Sequence, residues 1–320
     1  MTRILARGPW RGPDITIARQ TASQPEPPIV TLAKQQRLSK LDELASRPHS
    51  HLFDGLVCGL RGMEVKYRPD GSSRLHLSYS VENYFSVKSL DLALDDELLL
   101  DKRWTTLRHE LFSDSDVLPT LPPELVNLFG IGAMLITSDN HALLTRRHFD
   151  VETYGGYFTS SVNEAAAYPG DTTTRDFLNP LKIVIRGAIE ELGVSLAGRN
   201  ITFLSLGHNP AYNQYSLLAL ARTPLTHQEL ERTVNRSYPV DRWENSDLYF
   251  VPWELNPLLD FMSSHRPWIT ITILEAARYS FGETEVQQAL LDRNLPFTIP
   301  RLEAPHPLAP PKSALVSTHL

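Results

Sequence analysis

The sequence predicts an α/β protein built from two successive regions. Candidate strands with alternating or continuous apolar residues recur in both halves of the chain. Between them, NPLKIVIRGAIEELGV carries the start and stop signals of a helix. A proline-punctuated approach, LPTLPPELVN, marks a second beginning near Leu118. At 320 residues, with 42% hydrophobic and 21% charged residues, the chain is long enough and apolar enough to fold over most of its length. The expected division is an extended segment over 1–30, a small α+β domain over 31–117, an α/β domain over 118–295 and a proline-rich tail over 296–320.

The formal net charge is -6, with no long run of either sign. Mass electrostatic binding to nucleic acid or to an anionic membrane is therefore disfavoured, whereas a small anionic ligand held by a few arginines or a metal stays compatible. Cys58 is the only cysteine, which rules out an intrachain disulfide and fits a reducing compartment. Nowhere do about eighteen apolar residues run together, so a soluble, cytoplasmic protein is expected.

In chain order, ITIAR (15–19) is readable as an edge strand and SQPEPP as a linker. LAKQQRLSKLDELASR (32–47) places Leu32, Leu38, Leu41 and Leu44 at helical spacing. Two strands are expected around Pro69-Asp70-Gly71, because glycine at the third turn position takes the positive φ that other residues resist. Residues 84–115 read as helical in part. Strands follow at 131–137 and 142–146 around a Ser-Asp-Asn turn, then in NITFLSLGHNP and YSLLALART. Thr226 and Glu229 form a capping-box pattern opening a helix to about Asn235. SDLYFVPWE is a further strand. WITITILEAARYSFG and TEVQQALL suggest helices, with ITITIL itself readable either way.

The most informative segment is the helix after Asn179. Asn179 suits an N-cap and Pro180 the first helical position. Leu181, Val184, Ile185, Ala188 and Leu192 define an apolar face, and Gly193 is placed to end the helix. Arg186 lies one turn before Glu190, so the two can pair. Gly187 lies one turn before Glu191 and weakens the helix by about 1 kcal/mol relative to alanine.

From Gly130 to about Leu290 the chain resembles a Nudix domain, whose signature is G-x5-E-x7-R-E-U-x-E-E-x-G-U with U a bulky aliphatic residue. Arg186, Glu190, Glu191, Gly193 and Val194 stand at matching positions, with Ala188 as a small first U. GAMLITSDNHALLTRR resembles the opening strands, and TYGGYFTSSVNEAA the loop that brings in the first glutamate, here Glu164. DRWENSDLYFVPWE resembles the place where many members supply a further acid, here Glu244. The resemblance implies an α/β/α sandwich around a mixed sheet. It also implies hydrolysis of a nucleoside-diphosphate derivative with Mg2+ or Mn2+ bound by Glu190, Glu191 and Glu164, and a Glu164–Arg186 pair supporting the helix. A looser similarity of LFDGLVCGLRGMEV and RLHLSYSVENYFSV to the leader of nucleotide-sugar pyrophosphatases tilts the substrate towards nucleotide sugars. Arg146 and Arg147, at a strand end, are the candidates for holding the diphosphate.

There are three departures from the signature, the first being that seven residues, not five, separate Gly156 from Glu164. The 21 residues between Glu164 and Arg186 exceed the signature's seven, so about 14 residues around AYPGDTTTRDFLNP form an insertion. Gly187 also replaces the acid that follows the signature arginine. Two other readings therefore stay open: a Nudix-like ligand-binding or regulatory protein, and a pathway enzyme that reuses the diphosphate pocket. A homodimer is compatible with all three.

Of the remaining features, His49 and His51 in PHSHLF lack the acids or cysteines of a zinc site. His208 reads as a loop histidine that is structural or solvent-facing, and Trp243, Trp253 and Tyr212 as residues used in core packing or surface burial. Phosphate-loop, dinucleotide and nucleophile-elbow motifs are absent from the sequence.

Overall fold

A computed structural model describes residues 2–20, 26–48, 50, 52–113, 118–149, 151, 155–237, 239–265 and 270–295. The chain opens with β1 (Arg3–Trp10), β2 (Ile15–Arg19) and α1 (Pro28–Ala45), then the hairpin β3 (Leu56–Tyr67) and β4 (Ser73–Asn83). Next come α2 (Tyr84–Ser89), β5 (Glu97–Leu100), β6 (Arg103–Thr106) and α3 (Leu107–Phe112). The second half runs β7 (Phe129–Ile136), β8 (His141–Arg147), β9 (Phe158–Thr159), β10 (Val162–Ala165), β11 (Phe177–Leu178) and α4 (Pro180–Leu192). It closes with β12 (Ile201–Asn209), β13 (Gln214–Arg222), α5 (His227–Ser237), β14 (Asn245–Pro252), α6 (Leu255–His265), α7 (Thr270–Phe281) and α8 (Glu283–Asp292). The tail over 296–320 and the pair His49 and His51 lie outside the described residues.

The main sheet runs β1-β12-β13-β7-β8-β14, with β10 added to β7 and β9 to β8. It is mixed, because β13 and β7 are parallel while the other pairs are antiparallel. Side-chain alternation divides its two faces. Ile131, Ala133 and Leu135 of β7 enter one core, with Ile183, Val184, Ala188 and Leu192 of α4. Met134 and Ile136 enter the other, with residues of α6, α7 and α8. The result is the expected α/β/α layering around a mixed sheet.

A second sheet, β11-β2-β4-β3, packs into the same core as α4 through Ile17, Leu60, Leu75 and Tyr79. The first thirty residues thus supply strands to both sheets. ITIAR is flanked on both sides, by β11 and β4, instead of lying at an edge. The described part of ITITIL, residues 270–274, falls within α7, because Ile273, Leu274, Ala276 and Ala277 recur at helical spacing and are buried against the sheet. Of the residues 84–115, the described ones, 84–113, hold two short helices and a hairpin, which turns on Asp101 and Lys102 at φ 48° and 66°. Positive φ at both positions suits the twist of a two-residue hairpin. No helix of the described residues is long and apolar enough to cross a membrane.

Where the N-terminal region meets the main sheet, the junction is polar and sealed. Asp91 is fully buried and accepts hydrogen bonds from the amides of Val126 (3.0 Å) and Asn127 (2.7 Å) and from Asn213 Nδ2 (2.8 Å). Burial pushes its carboxyl up to about 7, against these hydrogen bonds. Asn213 in turn meets His208 Nε2 at 3.1 Å, and His208 Nδ1 meets Arg3 Nη2 at 2.6 Å. His208 therefore lies inside β12, fully buried and stacked on Tyr215 at 4.2 Å, and not in a loop. Burial and the Arg3 charge push its imidazole down to about 3. Neutral His208 then accepts from Arg3 and donates to Asn213. Replacing Asp91 with alanine strands three buried donors, so Asp91→Ala should lower stability by about 3–5 kcal/mol in urea unfolding. A loss below about 1 kcal/mol would show that the junction does not depend on it.

Candidate active site

The site is built where α4 crosses β10. Asn179 caps α4, its side chain accepting from the Leu181 amide at 3.0 Å, and Gly193 ends it in the left-handed region at φ 68°. Along the helix, Val184, Ala188 and Leu192 are buried with Ile183, while Leu181 and Ile185 are partly buried. Glu191 shares the buried face, and Glu190 lies toward the exposed one.

Arg186 is the hub. Nη1 meets Glu190 Oε2 at 2.7 Å and Glu164 Oε1 at 3.1 Å. The Glu164 partnership implied by the sequence resemblance is thus present. Nε and Nη2 grip Asp171 at 3.1 and 2.9 Å, and Nη2 also donates to the Ala165 carbonyl at 2.7 Å. A planar guanidinium suits this arrangement, because its donors diverge at fixed angles and bind a carboxylate through two of them. Burial works against its charge, but the hydrogen bonds it donates to Asp171 and the nearby Glu164 charge raise its pKa beyond the ordinary value.

Asp171 was not legible as a partner. It comes from the insertion and is 1% exposed. Its Oδ2 also accepts from the Ala167 amide at 2.8 Å, which folds the insertion back on itself. The insertion then returns through β11, which pairs with β2, and leads into the α4 cap.

Glu191 points inward. Its Oε1 accepts from the Asn163 amide at 2.9 Å and its Oε2 from Asn245 Nδ2 at 3.2 Å. Burial, and then the neighbouring Glu164 charge, raise its carboxyl well above the usual range. Burial pushes Glu164 up to about 7, opposed by Arg186 and assisted by Glu190. Glu244 is raised by burial and restrained by Arg147, whose Nη2 lies 3.6 Å from it. The turn bearing Glu244 is tied to the end of α4 through the Asp241 amide and the Glu190 carbonyl, at 2.9 Å. Arg146 is engaged elsewhere: Nε donates to the Gly156 carbonyl at 3.0 Å, and the guanidinium lies over Phe149 and Phe158. Trp253 is buried, and Trp243 is 36% exposed beside Glu244.

Gly187 has a packing reason. A Cβ there would stand 2.7 Å from Val162 Cγ1 and 3.0 Å from Glu164 Cβ. Val162 and Glu164 share the face of β10 that α4 crosses, so the space of a side chain at 187 is filled by the stem of Glu164. An open groove of about 280 Å3 runs beside the site, lined by Lys182, Ile185, Ile189, Arg186, Glu190 and the 170–171 loop.

Fold and site together define a three-layer α/β protein whose carboxyls converge on one arginine. No protein-family model matches the chain, and no curated protein matches it. Among solved structures it is similar to DR0079 from Deinococcus radiodurans, at 16% identity over 43% of this chain and 73% of that one, with a TM-score of 0.30. It is also similar to the MutT protein from Methanosarcina mazei, at 12% identity over 42% and 80%, with a TM-score of 0.26. A MutT/nudix family protein from Enterococcus faecalis shares 16% identity over 46% and 51%, with a TM-score of 0.26.

The packing at position 187 makes a directional prediction. Helix propensity alone favours Gly187→Ala by about 1 kcal/mol, but overpacking of this kind costs about 1–3 kcal/mol. The variant should therefore melt at the wild-type temperature or below it. A clear rise would show that α4 and β10 are not packed this closely.

Proposed function

We propose that the chain is a Nudix-type hydrolase that cleaves the diphosphate of a nucleoside-diphosphate derivative with Mg2+ or Mn2+, with nucleotide sugars as the leading substrate class. The observation that carries this reading is the crowding of acids at Arg186. Glu164, Asp171, Glu190, Glu191 and Glu244 gather around Arg186 and Arg147, and burial raises three of the five above their ordinary pKa. Such crowding is costly without a counter-charge, and an all-oxygen donor set suits a hard divalent cation. Glu190 and Glu191 would hold it, with Glu164 and Glu244 adjacent. Bound there, it would neutralise phosphoryl charge and acidify water.

The protein's own groups have distinct tasks in this reading. Arg186 fixes Glu164 and Glu190 and, through Asp171, the insertion. Glu164, poised at about 7, accepts the proton of the attacking water, since a general base works best near the operating pH. Arg147 faces the phosphate from the end of β8. The groove beside α4 offers Ile185 and Ile189 to an apolar part of the ligand and Lys182 to an anionic part.

A second reading has its own support. Gly187 leaves no acid at its position, and Glu191 is satisfied internally by Asn163 and Asn245. Both suit a module that binds the ligand without turnover.

An assay of nucleotide sugars, ADP-ribose and dinucleoside polyphosphates with Mg2+ or Mn2+ separates the two. The hydrolase reading expects turnover that falls at least about a hundredfold in Glu164→Gln, the order expected for losing a general base. The rate should climb with rising pH, on a limb at or below the value of about 7 that burial gives Glu164 without the cation, because Glu164 must lose its proton to act as a base. That limb should flatten in Glu164→Gln. Binding without turnover across the whole panel would select the second reading.

The same raised pKa sets the sign of a stability effect. Folded Glu164 keeps its proton above the ordinary 4.5, so its contribution is full below about 4.5 and is lost as pH rises through about 7. In cation-free protein the melting temperature should fall across that window, and added Mn2+ should restore part of it at pH 8. No pH-dependent gap between wild type and Glu164→Gln would contradict the burial assigned to this carboxyl.

A further inference from the structure

We propose a second metal site, for Zn2+, at Asp139, His141 and His227. It lies at the turn joining β7 to β8, while Arg147 and Glu244 lie at the far end of β8. One ligand atom from each of the three residues falls within 4.8 Å of the other two. The histidine Nδ1 atoms both turn to Asp139. His227 Nδ1 meets Asp139 Oδ2 at 2.5 Å, while His141 Nδ1 lies 3.7 Å from Oδ1 and 3.0 Å from the Asp139 carbonyl. The two imidazole rings stand 4.5 Å apart at their centroids.

Local structure holds these groups in place. Asn140, at φ 60°, makes the tight turn that sets Asp139 and His141 side by side. Thr137 Oγ1 donates to Asp139 Oδ1 at 2.6 Å, and the His227 amide donates to the same oxygen at 2.9 Å. The carboxylate is therefore oriented by the turn and by the first residue of α5. His227 is fixed from its other side by Phe250, 5.8 Å away between ring centroids. Preorganisation by such contacts is what distinguishes a built site from a chance cluster.

The donor chemistry selects the metal. Two imidazoles and one carboxylate suit Zn2+ and other first-row transition ions, whereas Mg2+ takes oxygen ligands in octahedral geometry. Zinc bonds of about 2.0–2.1 Å in a tetrahedron place ligand atoms about 3.3 Å apart. From the present spacing, closure needs movements of up to about 1.5 Å, within reach of side-chain rotation. All three side chains are about 30% exposed, which leaves room for a water molecule as fourth ligand and a path for entry. The ion would replace the hydrogen bond between His227 and Asp139. It would also clamp α5 to the β7–β8 turn, a structural role separate from hydrolysis.

The test uses the full chain after chelator treatment, with Zn2+ alone as titrant in calorimetry. Wild type should bind one equivalent that is lost, or weakened about a hundredfold, in His141→Ala and in His227→Ala. Millimolar Mg2+ should not displace it, and Glu191→Gln should retain it. Zn2+ should also raise the melting temperature of wild type and leave that of His141→Ala unchanged. Among the described residues the His141 ring hydrogen-bonds only to its own turn, so this variant decides the matter if His227→Ala fails to fold. Zn2+ binding that is the same in wild type and His141→Ala would overturn the proposal, as would the absence of saturable binding.

Discussion

The site depends on one guanidinium. Arg186 takes Glu164 from β10, Asp171 from the insertion and Glu190 from its own helix, and closes on the Ala165 carbonyl. Each of these carboxylates would be costly in a partly buried place without a cation, and several kcal/mol of desolvation accompany a buried charge left alone. The same contact therefore gathers the acids and makes gathering them tolerable. It also fixes the path of the insertion, because Asp171 cannot reach Arg186 unless residues 167–179 fold back against α4.

Local signals in the sequence reached the helix and half of this hub. Asn179, Pro180 and Gly193 announce where α4 starts and stops, and the four-residue spacing announces the Arg186–Glu190 pair. Glu164 required the resemblance, since nothing local in a short strand says which helix it will face. Asp171 was out of reach for a different reason. DTTTRD reads as an ordinary polar loop, and its burial comes entirely from tertiary contacts. The inward turn of Glu191 was hidden in the same way, because its partners are a backbone amide on β10 and an asparagine on β14. RILARGPW was equally opaque as a strand: its arginines and Gly-Pro step break the period-two pattern, and its partner strand lies far along the chain.

Gly187 carries two meanings at once. Read as a motif position, it is a missing acid. In three dimensions it is the place where β10 passes so close to α4 that the stem of Glu164 occupies the side-chain space. These meanings are linked, because an acid at 187 and the present course of β10 exclude each other. Any carboxylate beside Glu191 must therefore come from the strand and not from the helix.

The pairing of β1 with β12 has a consequence for biosynthesis. Arg3 lies opposite His208, so β1 waits for a partner 205 residues downstream. At translation speeds of about 5–20 residues per second, that wait is on the order of ten to forty seconds. Throughout it, Ile4, Leu5 and Trp10, all buried in the finished protein, have no completed sheet to join. These side chains must therefore stay out of other apolar contacts until β12 has emerged.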